Sequence, residues 1–186
     1  MPDTWLSERN ALIFRITHIE NVRWILKHGL HCRNGRQDPG FVTIGLQDVI
    51  DRRHGRSVPI HPGGTLSDYV PFYFTPFSPM AHKIHTGHGV NQVNRRDIVV
   101  LVASLRDLAD AGVPFVFTDR HAVLSYAEFF ESSELARLDR LDWRSFQNRD
   151  FKRDNTNLDK VDRYQAEALI HNHLPIERSA DRVLAR

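Results

Sequence analysis

Apolar positions along this chain fall into short runs of two kinds. Runs of strand length cover Leu12 to Ile16, Tyr69 to Phe74, Asp97 to Ser104 and Pro114 to Thr118, with Ile98-Val99-Val100-Leu101-Val102 the clearest. A further strand begins at Glu167, and its period-two alternation carries Leu169, His171 and His173 on one face. Helical spacing marks Glu20 to Lys27, where Val22, Ile25 and Leu26 form an apolar stripe and Gly29 the stop. Gln47 to Arg53, Leu105 to Ala111, Ala122 to Phe130 and Glu134 to Leu138 read as short helices or helical turns. Residues 33–43 and Ser57 to Gly64 read as loops, Met80 to Arg96 as a mobile loop, and 142–162 as a polar connection. Strands scattered among short helices predict a mixed α+β domain. A length of 186 residues suits one domain, and no repeat or low-complexity tract interrupts it.

One position breaks the pattern. Glu167 opens an otherwise apolar strand, in Arg163-Tyr164-Gln165-Ala166-Glu167-Ala168-Leu169-Ile170. A carboxylate in a half-buried strand costs several kcal/mol unless something pairs with it. It is therefore either a structural carboxylate held by an arginine or a group kept for chemistry.

Composition narrows the field. The formal charge is only +2, but four of the 25 basic residues are lysine and 21 are arginine. Arginine forks match phosphates and stack on bases, although genomic base composition also enriches arginine. No apolar run approaches the ~18 residues of a membrane span. The N-terminus, Met1-Pro2-Asp3-Thr4-Trp5, shows no basic region followed by an apolar one. Cys32 is the single cysteine, which excludes an intrachain disulfide and fits a cytoplasmic protein. His82, His85 and His88 are spaced by three and His171 and His173 alternate, which makes a metal hydrolase conceivable. No His-Glu-x-x-His motif or cysteine pair accompanies them, and no metal is expected.

Longer strings carry more. They are Arg15-Ile16-Thr17-His18; Trp24-Ile25-Leu26 with Gly29-Leu30-His31-Cys32; the run from Gly63 through Tyr69 to Met80; Pro114-Phe115-Val116-Phe117-Thr118-Asp119 with His121; and Arg149-Asp150-Phe151. Together, from about Ala11 to about Ile176, they resemble the DarT family, the toxins of DarT–DarG systems that ADP-ribosylate DNA. The resemblance implies an ADP-ribosyltransferase fold, with NAD in a cleft between two small, mainly antiparallel sheets with short helices. It implies transfer of ADP-ribose from NAD to a base of single-stranded DNA, thymine first and guanine as the alternative within the family. A macrodomain antitoxin is the implied partner.

Breaking the bond to nicotinamide passes through an oxocarbenium-like state, which needs a carboxylate, cations for the pyrophosphate and an aromatic pocket. By resemblance Glu167 is the catalytic carboxylate. Arg53, in Asp51-Arg52-Arg53-His54-Gly55, matches the family's arginine in the NAD site; the neighbouring Arg52 leaves the choice ambiguous, and a solvated basic turn is the plain alternative. His18 matches a polar residue that meets the NAD ribose, against a merely structural histidine. Tyr73 points away from Phe72 and Phe74 and could stack on nicotinamide, against core packing. His121 matches a histidine near the active site, against a surface position at a helix start. Arg95, Arg96, Arg149, Lys152, Arg153 and Arg163 lie near Phe146, Phe151 and Tyr164, an interleaving that suits single-stranded nucleic acid. A solvated charged face is the alternative there. The stretch from Arg149 to Arg163 corresponds to the loop that selects substrate in this fold.

Two rival functions stay open: an NAD-consuming RNA 2′-phosphotransferase, which does not rely on a strand glutamate, and a non-catalytic single-strand-binding module. The family continues past the glutamate strand with a helix and a closing strand. Residues 1–186 are read as a single domain without them.

Overall fold

The computed structural model describes residues 3–86 and 93–176. His88, the His85 side chain and the C-terminal segment expected to lack a final strand lie outside the described residues. Strand β1 (Leu12–His18) runs into helix α1 (Ile19–His28), which ends at Gly29 before the two-residue strand β2 (Leu30–His31). Gly29 has φ +79°, and a Cβ there would sit 2.2 Å from His173 Nε2, so only glycine fits this turn. A long loop leads to α2 (Gln47–Gly55), then to β3 (Tyr69–Tyr73) and α3 (Pro79–Thr86). The rest comprises β4 (Ile98–Ser104), α4 (Leu105–Asp110), β5 (Phe115–Thr118), β6 (Phe129–Glu131), α5 (Trp143–Asn148), α6 (Lys160–Arg163), β7 (Glu167–His171) and β8 (His173–Leu174).

Six strands form one antiparallel sheet in the order β4-β1-β3-β7-β5-β6, and β2 pairs with β8. β1 and β4 pair along seven residues, whereas β1 and β3 share the single register pair Phe14↔Tyr73. The sheet is thus nearly divided between β1 and β3, and this division opens the main cavity. On one face Phe72, Ala168, Ile170 and Phe117 enter the main core with Phe74, Phe146 and Tyr164. On the other, Tyr69, Leu169 and Val116 join Val58, Leu66 and Phe129 in a smaller cluster. Burial on both faces explains why β5 and β7 are apolar almost throughout. This is the expected α+β class, with two unequal sheets.

Several elements differ from the sequence reading. Ala122 to Phe130 is not helical: residues 122–126 turn, and Phe129–Glu131 pairs with β5. The Asp119 carboxylate accepts the Glu128 N–H at 2.9 Å, and burial of Phe129 and Phe130 on the sheet outweighs the helical propensity of the alanines. The first part of Met80 to Arg96 is the helix α3, started by Pro79 and by the Ser78 hydroxyl, which accepts the Ala81 N–H. The polar connection 142–162 contains α5 and α6 and plants Phe146, fully buried, against Phe74, Trp143 and Tyr164. In α1 the buried positions are Asn21 and Ile25, while Leu26 is 55% exposed.

Candidate active site

Glu167 is the first residue of β7 and stands opposite Tyr73 of β3. Its backbone N–H donates to Thr118 Oγ1 at 3.1 Å, which fixes the strand start. The side chain is 1% exposed, and both oxygens are occupied. Arg53 Nη1 donates to Oε2 at 2.7 Å. His121 Nδ1 lies 2.9 Å from Oε1, and the Ala122 N–H donates to the same oxygen at 3.3 Å. Burial alone would raise the carboxyl's pKa; the Arg53 charge and the His121 contact outweigh it and bring it down to about 2. Glu167 is therefore a carboxylate at neutral pH and no proton donor.

Arg53 comes from the last turn of α2, and its Nη2 is buried without a partner. It lines a cavity of about 380 Å³, whereas Glu167 lies directly behind it. Arg15, Ile16 and Thr17 of β1 and Tyr69, Pro71 and Tyr73 of β3 line the same cavity, with Trp24 and Phe41 adding aromatic surface. Burial, then the neighbouring Glu167, pushes the Tyr73 hydroxyl well above its ordinary range, so it stays protonated. The loop between β2 and α2 supplies the opposite wall through Phe41, Val42, Thr43 and Ile44.

His121 is held by its own turn. Its N–H donates to Asp162 O at 2.9 Å, Tyr126 Oη donates to Asp162 Oδ2 at 2.6 Å, and Arg120 pairs with Asp119 and Asp159. The segment before Glu167 thereby braces the histidine that touches it.

The structure thus brings Glu167, Arg53, His121 and Tyr73 together. It does not bring His18 to them: His18 caps α1, its Nδ1 accepting the Glu20 N–H at 3.3 Å, and it is not part of the cavity wall. Arg95 and Arg149 border a second cavity of about 360 Å³, with Phe77 and Phe151. Arg149 already pairs with Asp3 at 2.8 Å and stacks on Phe77. Arg163 is engaged by Asp159, Asp142 and Asn157. Arg96 and Arg153 are exposed and, among the described residues, make no ion pair.

Sequence reasoning missed Arg15. Its Nη1 donates to Pro71 O at 2.9 Å across the divided strands, and its Nε is buried without a partner. Burial, then Arg53, lowers its pKa to about 10, so it remains a cation. The signal was available: a charge between buried Phe14 and Ile16 breaks an apolar strand just as Glu167 does. Among the described residues no group of three or more His, Cys, Asp or Glu could hold a metal ion, and no helix is long and apolar enough to cross a membrane.

A family model described as "DarT: ssDNA thymidine ADP-ribosyltransferase" matches residues 14–178. A "DNA ADP-ribosyl transferase" of Escherichia coli O127:H6 is 49% identical over 173 residues, covering 92% of this chain and 78% of the relative. The structure of Thermus sp. 2.9 DarT in complex with ADP-ribosylated ssDNA superposes with a TM-score of 0.82 at 39% identity, over 90% of this chain and 78% of that one. The same Thermus protein in complex with NAD+ gives a TM-score of 0.75 at 38% identity, over 89% of this chain and 77% of that one.

Proposed function

Since the chain belongs to the DarT family, we propose that it transfers ADP-ribose from NAD to a thymine base of single-stranded DNA, with the cavity between β1 and β3 as the NAD site. The observation that carries the assignment of residues is Glu167, held ionised by Arg53 and His121 immediately behind the cavity wall.

The bond between ribose C1′ and the nicotinamide nitrogen breaks, and its electron pair leaves with nicotinamide. C1′ then bonds to the thymine base, and the proton displaced from the base passes to solvent. Glu167 supplies the negative charge that favours the cationic ribose in between. Arg53 has Nη2 free, so it can take a pyrophosphate oxygen and uncover Glu167 Oε2 without leaving the site. Arg15 adds a second buried N–H and a fixed positive charge. His121 and the Ala122 N–H keep Oε1 oriented while Oε2 faces the ribose. Tyr73 and Trp24 offer ring faces for nicotinamide.

For the acceptor strand, Arg96 and Arg153 are free to meet phosphates, and Arg95 and Arg149 border a cavity with aromatic walls. Arg163 acts through the turn that carries His121. A macrodomain antitoxin that removes the adduct is the partner expected for such a toxin, and the cytoplasm is where its DNA substrate is reached.

The test is intact mass of pooled single-stranded oligonucleotides after incubation with NAD and either the protein or its Glu167→Ala variant. One added ADP-ribose on thymine-containing strands, absent with the variant, is expected. Nicotinamide release with no DNA adduct would move the acceptor elsewhere, and the absence of both products would overturn the reading.

A further inference from the structure

The cavity has one wall that is neither sheet nor helix, the loop between β2 and α2. Its first part is anchored where the Asn34 N–H donates to Ser67 O at 3.2 Å and its side chain to Asp68 at 2.7 Å. Its far end is the start of α2. Between these anchors Phe41, Val42, Thr43 and Ile44 face the cavity. The Gln37 side chain ties the start of the segment to Cys32 O and Arg33 O, and Leu46 O caps α2; between them, among the described residues, the backbone of 38–45 meets the rest of the fold by hydrogen bonds at one place, Val42.

The partner at Val42 is a side chain. Asn21 Oδ1 accepts the Val42 N–H at 2.8 Å, and Asn21 Nδ2 donates to Val42 O at 2.9 Å. Nδ2 gives its second proton to Thr17 Oγ1 at 3.1 Å. The amide therefore imitates a neighbouring strand, reading both backbone groups of one residue, and its bonds leave no donor unused. Asn21 is 1% exposed, in the first turn of α1, where the apolar spacing would sooner place an aliphatic residue. A buried polar group is tolerated only when fully satisfied, and here the satisfaction is spent on the loop.

We propose that Asn21 is a positioning residue for NAD, holding the roof of the cavity in its binding-competent place. This rests on the assignment of the cavity to NAD. Asn21 itself need touch no substrate. Release of the clamp lets the 38–45 segment leave its position, so only a fraction of molecules is ready to bind. Apparent affinity falls by that fraction, while Glu167, Arg53 and His121 remain as they were once NAD is in place.

The experiment is steady-state kinetics of nicotinamide release with NAD and a saturating thymidine-containing oligonucleotide, for the wild type, Asn21→Ala and Asn21→Asp, with thermal melts alongside. Asn21→Ala is expected to raise KM for NAD roughly tenfold with kcat within about a factor of two, as a roof in place about a tenth of the time demands. Asn21→Asp retains the acceptor for the Val42 N–H but loses both donors and sets a buried carboxylate oxygen against Val42 O, so its KM for NAD should rise at least as far as that of Asn21→Ala. An unchanged KM with a lowered melting temperature, or a fall in kcat at unchanged KM, overturns the proposal. Amide exchange of the wild type needs no variant: the Val42 N–H should exchange more slowly than those of Thr43 and Ile44, and equal rates overturn the clamp. A wild type that releases no nicotinamide refutes the NAD assignment instead, and Val42 exchange still reports separately on the clamp.

Discussion

Removing Arg53 should expose how much of this fold leans on one ion pair. Arg53 Nη1 and Glu167 Oε2 are 2.7 Å apart, with the two side chains 12% and 1% exposed. At an effective dielectric of about 20 two such charges attract by about 6 kcal/mol, but desolvation cancels part of that. Deleting one partner of a buried pair typically costs about 3–5 kcal/mol, because the other charge is stranded. At roughly 2–4 °C per kcal/mol for a chain of this size, Arg53→Met should lower the melting temperature by about 6–20 °C at neutral pH. The combined Arg53→Met/Glu167→Gln variant strands no charge and should recover at least half of the loss.

The pH dependence follows with a definite sign. In the wild type the Glu167 carboxyl is depressed to about 2, so its stabilisation is present above the ordinary value of 4.5 and is lost as pH falls through about 2. Without Arg53, burial is opposed by His121 alone, and the carboxyl rises from its wild-type position. The variant then gains relative stability as the carboxyl protonates, and the gap to wild type should narrow on going from pH 7.5 to pH 4.5. Thermal melts followed by circular dichroism at both values measure this. A gap that stays constant with pH, or a double variant that costs the sum of the two singles, would refute the reasoning.

Glu167→Gln keeps the shape of the side chain and removes the charge, so transfer to DNA should fall by at least about a thousandfold, roughly 4 kcal/mol of barrier, read as adduct mass per unit time with NAD binding retained. Arg52 is exposed beside Arg53; Arg52→Ala should leave stability within about 0.5 kcal/mol and transfer near wild type, and the reverse ranking of the two arginines in a transfer assay would mean the register is wrong. Arg96→Ala and Arg153→Ala should each reduce the salt dependence of single-strand binding, lowering the logarithmic slope by about 0.7, as measured by titration at several salt concentrations. Arg163→Ala should instead lower the melting temperature, since Asp142 and Asp159 hold that side chain.

Much of this was legible in the chain, for physical reasons that differ by element. β1, β3, β4, β5 and β7 announced themselves because each is a short apolar run on a sheet, where burial sets the composition. Glu167 stood out because a carboxylate there is costly. α3 was missed although Pro79 and Ser78 are ordinary start signals, since the histidines and glycines that follow obscured its period. Ala122 to Phe130 misled because local propensity favours a helix, while the contacts that decide it, with β5 and with Asp119, are distant in the chain or unreadable from spacing. Asn21 escaped because its meaning lies in a partner 21 residues away, Val42, whereas Arg15 carried a readable signal, a charge inside an apolar strand, and only its partner Pro71 is distant. His18 matches the family's first motif, and in the fold its Nδ1 accepts the Glu20 N–H at the start of α1.

Among the described residues, the last strand of the large sheet in chain order goes into its middle. Until β7 is made, the chain holds β4-β1-β3 as one unit and β5-β6 as another, with nothing between them to pair both. Arg53 has waited since 114 residues earlier for its carboxylate. During synthesis at about 5–20 residues per second, a nascent chain therefore spends most of its time with a half-built sheet and no reactive centre. Competence waits on one five-residue strand, β7. Chains that stop short of β7 lack the carboxylate assigned to the transfer and are inert by topology, with no inhibitor required.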